Sequence, residues 1–135
     1  MAPALSQAWL AADLVLAAHL AVIAFNLFGL VAIPLGARLK WSFVRRPGWR
    51  LAHLASLAIV AAQAIAGRAC FLTIWQDQLA GARQSQPLIM RWVDSAVFWP
   101  LPLWVFEAVY VAIFAYVVAL FWLVPPRGWR RRGAR

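Results

Sequence analysis

Three stretches of this chain are apolar almost without interruption, and polar, strongly basic intervals separate or follow them. From Ala8 to about Leu35 only Asp13, His19 and Asn26 break the run. That is longer than the ~20 residues a helix needs to cross the hydrocarbon of a bilayer, and predicts a first membrane-spanning helix over 8–35, ended by Pro34 and Gly36. A signal peptide is the rival for an N-terminal apolar run, but no Lys or Arg precedes this one and its core is too long for an h-region. A second apolar stretch follows the Pro47-Gly48 turn and predicts a helix over 49–69. Its Ala55, Ala58, Ala62 and Ala66 recur three or four apart. In lipid such a small-residue stripe lets backbones approach closely, so helix 49–69 is expected to pack its Ala face against a neighbour, a protein partner or a second copy. The third span, 101–124, is closed by Pro125-Pro126, which cannot continue a helix. Trp104 and Trp122 lie eighteen residues apart, which at 1.5 Å per residue is ~27 Å, the separation of two aromatic belts. Trp9 falls at the level of the outer belt.

Between Gly67 and Pro100 charged and amide side chains are scattered among aromatics, so no window there makes a full span. The region reads as an exposed loop containing a short amphipathic helix at about 87–98. There Leu88, Ile89, Trp92, Val93, Ala96 and Val97 recur opposite Arg91, Asp94 and Ser95. Such a segment lies in the headgroup plane or, on the same periodicity, caps the bundle outside the membrane. The fold class is therefore an all-α integral membrane protein of one domain, 1–135, with three transmembrane helices, a short amphipathic helix in the outer loop and a basic tail over 125–135.

Composition sharpens the topology. Of 135 residues 65% are hydrophobic and 13% charged, outside the usual range for a soluble domain, and the length excludes a twelve-helix transporter or a multidomain enzyme. The net charge of +9 invites a nucleic-acid reading. Its distribution argues otherwise. Five basic residues fall between Arg38 and Arg50 and five more between Arg127 and Arg135, both flanking apolar runs, as cytoplasmic loops do. The expected orientation puts the N-terminus outside and the C-terminus in the cytoplasm. Treating Pro87–Pro100 as a fourth crossing would put the Arg-rich tail outside and break that rule. Arg127, Arg130, Arg131 and Arg132 beside Trp129 are expected to hold anionic headgroups at about 1 kcal/mol per basic residue, without any nucleic acid.

Asp13 and His19 in the first helix, His53 after the basic loop, the segment Cys70-Phe71-Leu72-Thr73-Ile74-Trp75-Gln76-Asp77-Gln78-Leu79, and Leu101 to Phe106 with Tyr110 together resemble a family of small bacterial inner-membrane proteins, domain of unknown function 2784. The resemblance covers nearly the whole chain and is most specific at Cys70, Leu72, Thr73 and Trp75. The family pattern has Pro where this chain has Phe71 and Glu where it has Gln76. The resemblance implies an integral membrane protein and supplies no reaction.

Candidate chemistry concentrates near the outer surface. Asp13 and Glu107 each lie about one turn, ~5 Å, inside their belt tryptophans, and Arg68 ends the second helix on the same side. Three charges at one depth either pair as an ion network that orients the bundle or open a polar vestibule. His19 and Gln63 extend that cluster inward or serve, with Asn26, as interhelical hydrogen-bond partners. His19 and His53 are the only histidines, and their inferred levels differ by ~18 Å along the membrane normal, which argues against a haem held between them. Cys70 is the sole cysteine, so it forms no internal disulfide, and without ligands nearby no metal site is expected. No cofactor and no diagnostic catalytic motif is read. The expected role is an accessory or scaffold subunit of a membrane complex; the alternatives are a membrane oxidoreductase or quinone-handling component using the polar cluster, and a small self-associating permeation unit.

Overall fold

The computed structural model describes residues 2–81 and 102–129 together with Trp92 and Ser95. The described residues form four α-helices and no strand: α1 (Ala2–Arg38), α2 (Pro47–Ile65), α3 (Phe71–Leu79) and α4 (Leu103–Leu123), with a short 3-10 turn, Phe43–Arg45, between α1 and α2. α1, α2 and α4 are long and apolar enough to cross a membrane. Their outward surface is apolar, with Leu14, Trp122 and Leu123 72%, 73% and 75% exposed, a surface that lipid rather than water would cover. Of the segment read as amphipathic over 87–98, only Trp92 and Ser95 lie among the described residues. Both are helical, and the Ser95 hydroxyl donates to the Trp92 carbonyl at 2.9 Å.

α1 does not stop at Pro34, as the sequence suggests, but runs through it to Arg38. A proline inside a helix removes one N–H and leaves the carbonyl four residues earlier without its helical donor. That carbonyl belongs to Leu30, and the Tyr116 hydroxyl of α4 donates to it at 3.4 Å. Beyond Arg38 the chain is turned away at Lys40, whose φ of 58° is left-handed, with Trp41 N–H bonded to the Gly36 carbonyl at 2.8 Å. This is a Schellman closure with lysine where glycine is usual. It turns the loop back onto α1, where Val44 is fully buried against Gly36; a Cβ added at Gly36 would lie 2.6 Å from Val44 Cγ1.

α2 starts with Pro47 in its first turn, where a missing N–H costs nothing. It returns antiparallel to α1, and α4 runs antiparallel to α2. The packing divides the molecule into two pairs, α1 with α3 and α2 with α4; α1 meets α2 and α4 over much shorter lengths. The pairs are clamped together at the end carrying the α1–α2 loop, here the loop end. They separate toward the opposite end, where α3 lies.

At the loop end the clamp is polar as well as aromatic. The His53 imidazole lies directly against Gly29, and a Cβ there would overlap the ring. His53 Nε2 donates to the Asn26 carbonyl at 3.0 Å, and the Asn26 amide donates to Ser56 Oγ at 2.9 Å. Trp49 stacks on His53 at 5.7 Å, and Phe25, Phe28 and Phe43 meet Trp49 edge-on. The buried face of α2 consists of Arg50, His53, Leu57 and Ala61. Of the Ala stripe, Ala55, Ala62 and Ala66 are exposed and Ala58 is half-buried. Among the described residues the three exposed alanines meet no neighbouring helix, because α2 spends its opposite face on α1 and α4.

Candidate functional site: a cleft between the two helix pairs

The α3 end is organised by the way α2 stops. Gly67, at φ +65°, reverses the chain, with Gly67 N–H bonded to the Ala64 carbonyl at 2.9 Å and Arg68 N–H to the Gln63 carbonyl at 3.0 Å. A β-carbon at that left-handed position would cost strain, so glycine is the residue that fits. Gln63 then acts twice. Its carbonyl closes α2, while its side-chain oxygen accepts the Phe71 N–H at 3.2 Å. Cys70, at the N-cap of α3, makes no side-chain cap bond; Gln63 supplies that acceptor from another helix.

α3 turns its polar face inward. Thr73 is fully buried and Asp77 nearly so, whereas Phe71 and Trp75 are more than half exposed. Thr73 Oγ1 lies 3.5 Å from His19 Nδ1 on α1. An inside-out amphipathic helix of this kind suits a site whose exterior is apolar and whose interior must satisfy polar groups.

Where the helix pairs part, all four helices line one small, partly open cleft. α1 contributes His19, α2 and its terminal turn Val60, Gln63 and Arg68, the start of α3 Cys70 and Thr73, and α4 Leu103, Phe106, Glu107 and Tyr110. Polar groups thus converge from four directions on a cleft whose remaining walls are aliphatic and aromatic, the usual make-up of a small-molecule site.

Of the residues singled out from the sequence, His19, Gln63, Arg68 and Glu107 come together here with Cys70 and Thr73. Asp13 does not. It is exposed on α1 and absent from the lining, six residues or about 9 Å along the helix from His19. No ion pair joins Arg68 to Asp13 or to Glu107, so the charged residues do not form the network that is one of the two sequence readings. The cause is local: the Gly67 turn ends α2 before Arg68, leaving its side chain exposed at the mouth. Leu72 is half-buried and Trp75 exposed, so the family-like segment splits into an inward half, Cys70 and Thr73, and an outward half. Trp9, Trp104 and Trp122 all point away from the bundle. Among the described residues, no three His, Cys, Asp or Glu side chains gather as metal ligands.

The two histidines serve different ends. His53 contacts α1 at Asn26 and Gly29, seven to ten residues and so about 10–15 Å along α1 from His19. The separation is shorter than the sequence suggests because the loop folds back along α1 and starts α2 nearer the middle of the bundle.

Sequence reasoning missed Arg50, which it counted as loop charge. Arg50 is 1% exposed, its Nη2 donates to the Leu120 carbonyl at 2.9 Å, and its guanidinium lies over the Phe121 ring at 5.4 Å. A signal was available. Pro125-Pro126 mark the end of α4, and the carbonyl end of a helix favours a cation.

The model of the family described as Protein of Unknown function (DUF2784) matches residues 9–126. No curated protein and no solved structure matches the chain.

Proposed function

The chain belongs to the DUF2784 family, and from that premise we propose that it is a small membrane protein that binds the polar head of a lipid-soluble ligand, of the quinone class, in the cleft between its helix pairs. The observation that carries this reading is the convergence of His19, Gln63, Arg68, Thr73 and Tyr110 on one cleft with apolar walls. A quinone presents two carbonyl acceptors on a flat apolar ring. The cleft offers matching donors in the Arg68 guanidinium and the Tyr110 hydroxyl, and Phe106 and Leu103 supply apolar contact. Glu107 at the same cleft would accept from a hydroquinone hydroxyl, which favours a site that accommodates both redox forms. The loop end gathers the exposed Arg38, Lys40, Arg45, Arg46 and Arg127. That supports placing it on the cytoplasmic side of a bacterial inner membrane, with the cleft opening near the periplasmic surface.

The test is direct. Protein purified in mild detergent is titrated with decylubiquinone, and binding is followed as a rise in thermal midpoint. Saturable stabilisation, weakened at least tenfold in Arg68→Gln and in Tyr110→Phe, is the expected result. A midpoint that ignores the quinone, in a protein that also releases none on solvent extraction, overturns the reading.

A second reading, an accessory or scaffold subunit, is favoured by one observation: Ala55, Ala62 and Ala66 are exposed on α2 with no other described helix against them. Such a stripe suits close approach by a transmembrane helix of another subunit. A stoichiometric partner lost on Ala62→Leu would support it; a monomer free of partners would exclude it.

A further inference from the structure

The two basic clusters, far apart in sequence, meet at the loop end. Arg127 N–H donates to the Arg45 carbonyl at 2.9 Å, which pins the chain after α4 to the α1–α2 loop. Trp129 holds the same join from the other side, its ring edge-on to Phe121 at 5.3 Å. Phe121 in turn lies beneath the buried Arg50 guanidinium. Arg38, Lys40, Arg45, Arg46 and Arg127 are all exposed there, and Trp41 and Trp129 are exposed beside them, 38% and 51%.

No acid among the described residues balances this surface. Of the acids among the described residues, Asp13, Asp77 and Glu107 all belong to the α3 end. The Arg127–Arg45 bond adds a fifth exposed positive charge to the four of the loop, and like charges on one surface favour an anion among them. The surface lies at the ends of membrane-spanning helices and carries two amphipathic tryptophans, the residue type that settles at the headgroup level. A nucleic acid would find charge there but would have to be reached at bilayer depth.

We propose that the α1–α2 loop and the segment after α4 form one composite site for the phosphate of an anionic phospholipid, built by the Arg127–Arg45 bond rather than by either cluster alone. The proposal is independent of the quinone cleft, which lies at the other end of the bundle.

The full-length protein is placed in nanodiscs containing phosphatidylcholine and spin-labelled phosphatidylglycerol, and the motionally restricted fraction of label gives the relative association constant. The wild type is expected to prefer phosphatidylglycerol over phosphatidylcholine, with the preference falling as salt rises. Arg45→Gln or Arg127→Gln alone is expected to lower the preference about fivefold, the equivalent of about 1 kcal/mol per basic residue. These side chains are exposed, so the variants keep the fold, which far-UV circular dichroism checks. In one composite site the double variant departs from the product of the two single effects; strict additivity overturns the composite claim. Equal retention of both lipids overturns the site itself. Full displacement of the lipid by millimolar inorganic phosphate, or by an oligonucleotide, overturns its assignment to a headgroup.

Discussion

The two ends of the bundle use polar residues in opposite ways. At the loop end Asn26, Arg50, Ser56 and His53 each make a bond that joins helices, and Arg50 and His53 are almost wholly buried. Arg50 Nη1, His53 Nδ1 and Asn26 Oδ1 have no hydrogen-bond partner among the described residues, the cost of burying these polar groups in a tight clamp. At the α3 end Gln63 and the Thr73–His19 contact tie elements together, and Arg68, Glu107 and Tyr110 line the cleft. The comparison teaches that intramembrane polar residues of similar type hold the fold where helices are clamped and remain available for a ligand where they part.

The largest test of that contrast is Gly29→Ala. The added methyl group overlaps His53, so the buried imidazole or the two helices must shift, and the expected cost is about 3 kcal/mol, at the upper end for overpacking. Thermal unfolding in micelles measures it; an unchanged midpoint would show that the loop end is not clamped there. Arg50→Gln comes next, at about 2 kcal/mol, because it removes a charged donor from a buried carbonyl. If Arg50→Gln and Arg68→Gln cost the same stability, the distinction between the ends is lost.

Gln63→Ala is expected to cost about 1 kcal/mol, the typical value of a helix cap. The loss is expected to be local, with faster amide exchange in α3 and unchanged exchange in α2 around His53. Arg68→Gln itself is expected to cost less than about 0.5 kcal/mol, since the side chain is exposed and unpaired, while abolishing most quinone binding. The smallest effect sharpens the geometry: Cys70 in the cleft is half-buried and is expected to react with a membrane-impermeant maleimide from the side opposite the basic loop, more slowly when quinone is bound. Labelling from the loop side alone would invert the topology.

The three spans were legible because lipid imposes a length and an apolarity that few other constraints share. α3 was harder to read. Its Thr73, Gln76 and Asp77 fall at helical spacing opposite Phe71, Ile74 and Trp75, but the polar face is the buried one, so the segment resembles a loop when the apolar face is assumed to be inside. Pro34 misled for a related reason. A proline ends a helix only where nothing else satisfies the freed carbonyl, and Tyr116, eighty-six positions away on α4, does so here.

The sequence by itself determined that this is an all-α chain with three helices of membrane-spanning length, with positive charge gathered beside two of their ends, because solvent transfer and charge burial act residue by residue. It also marked His19, Gln63, Arg68, Cys70 and Glu107. Only the tertiary structure decided which of them share a space. Helix-to-helix contacts such as Gly29 against His53, Arg50 beneath the end of α4 and Gln63 at the start of α3 depend on register and turn geometry between segments, which composition and periodicity do not encode. That geometry set Asp13 apart, left Arg68 unpaired, and joined two basic clusters more than seventy residues apart into one surface.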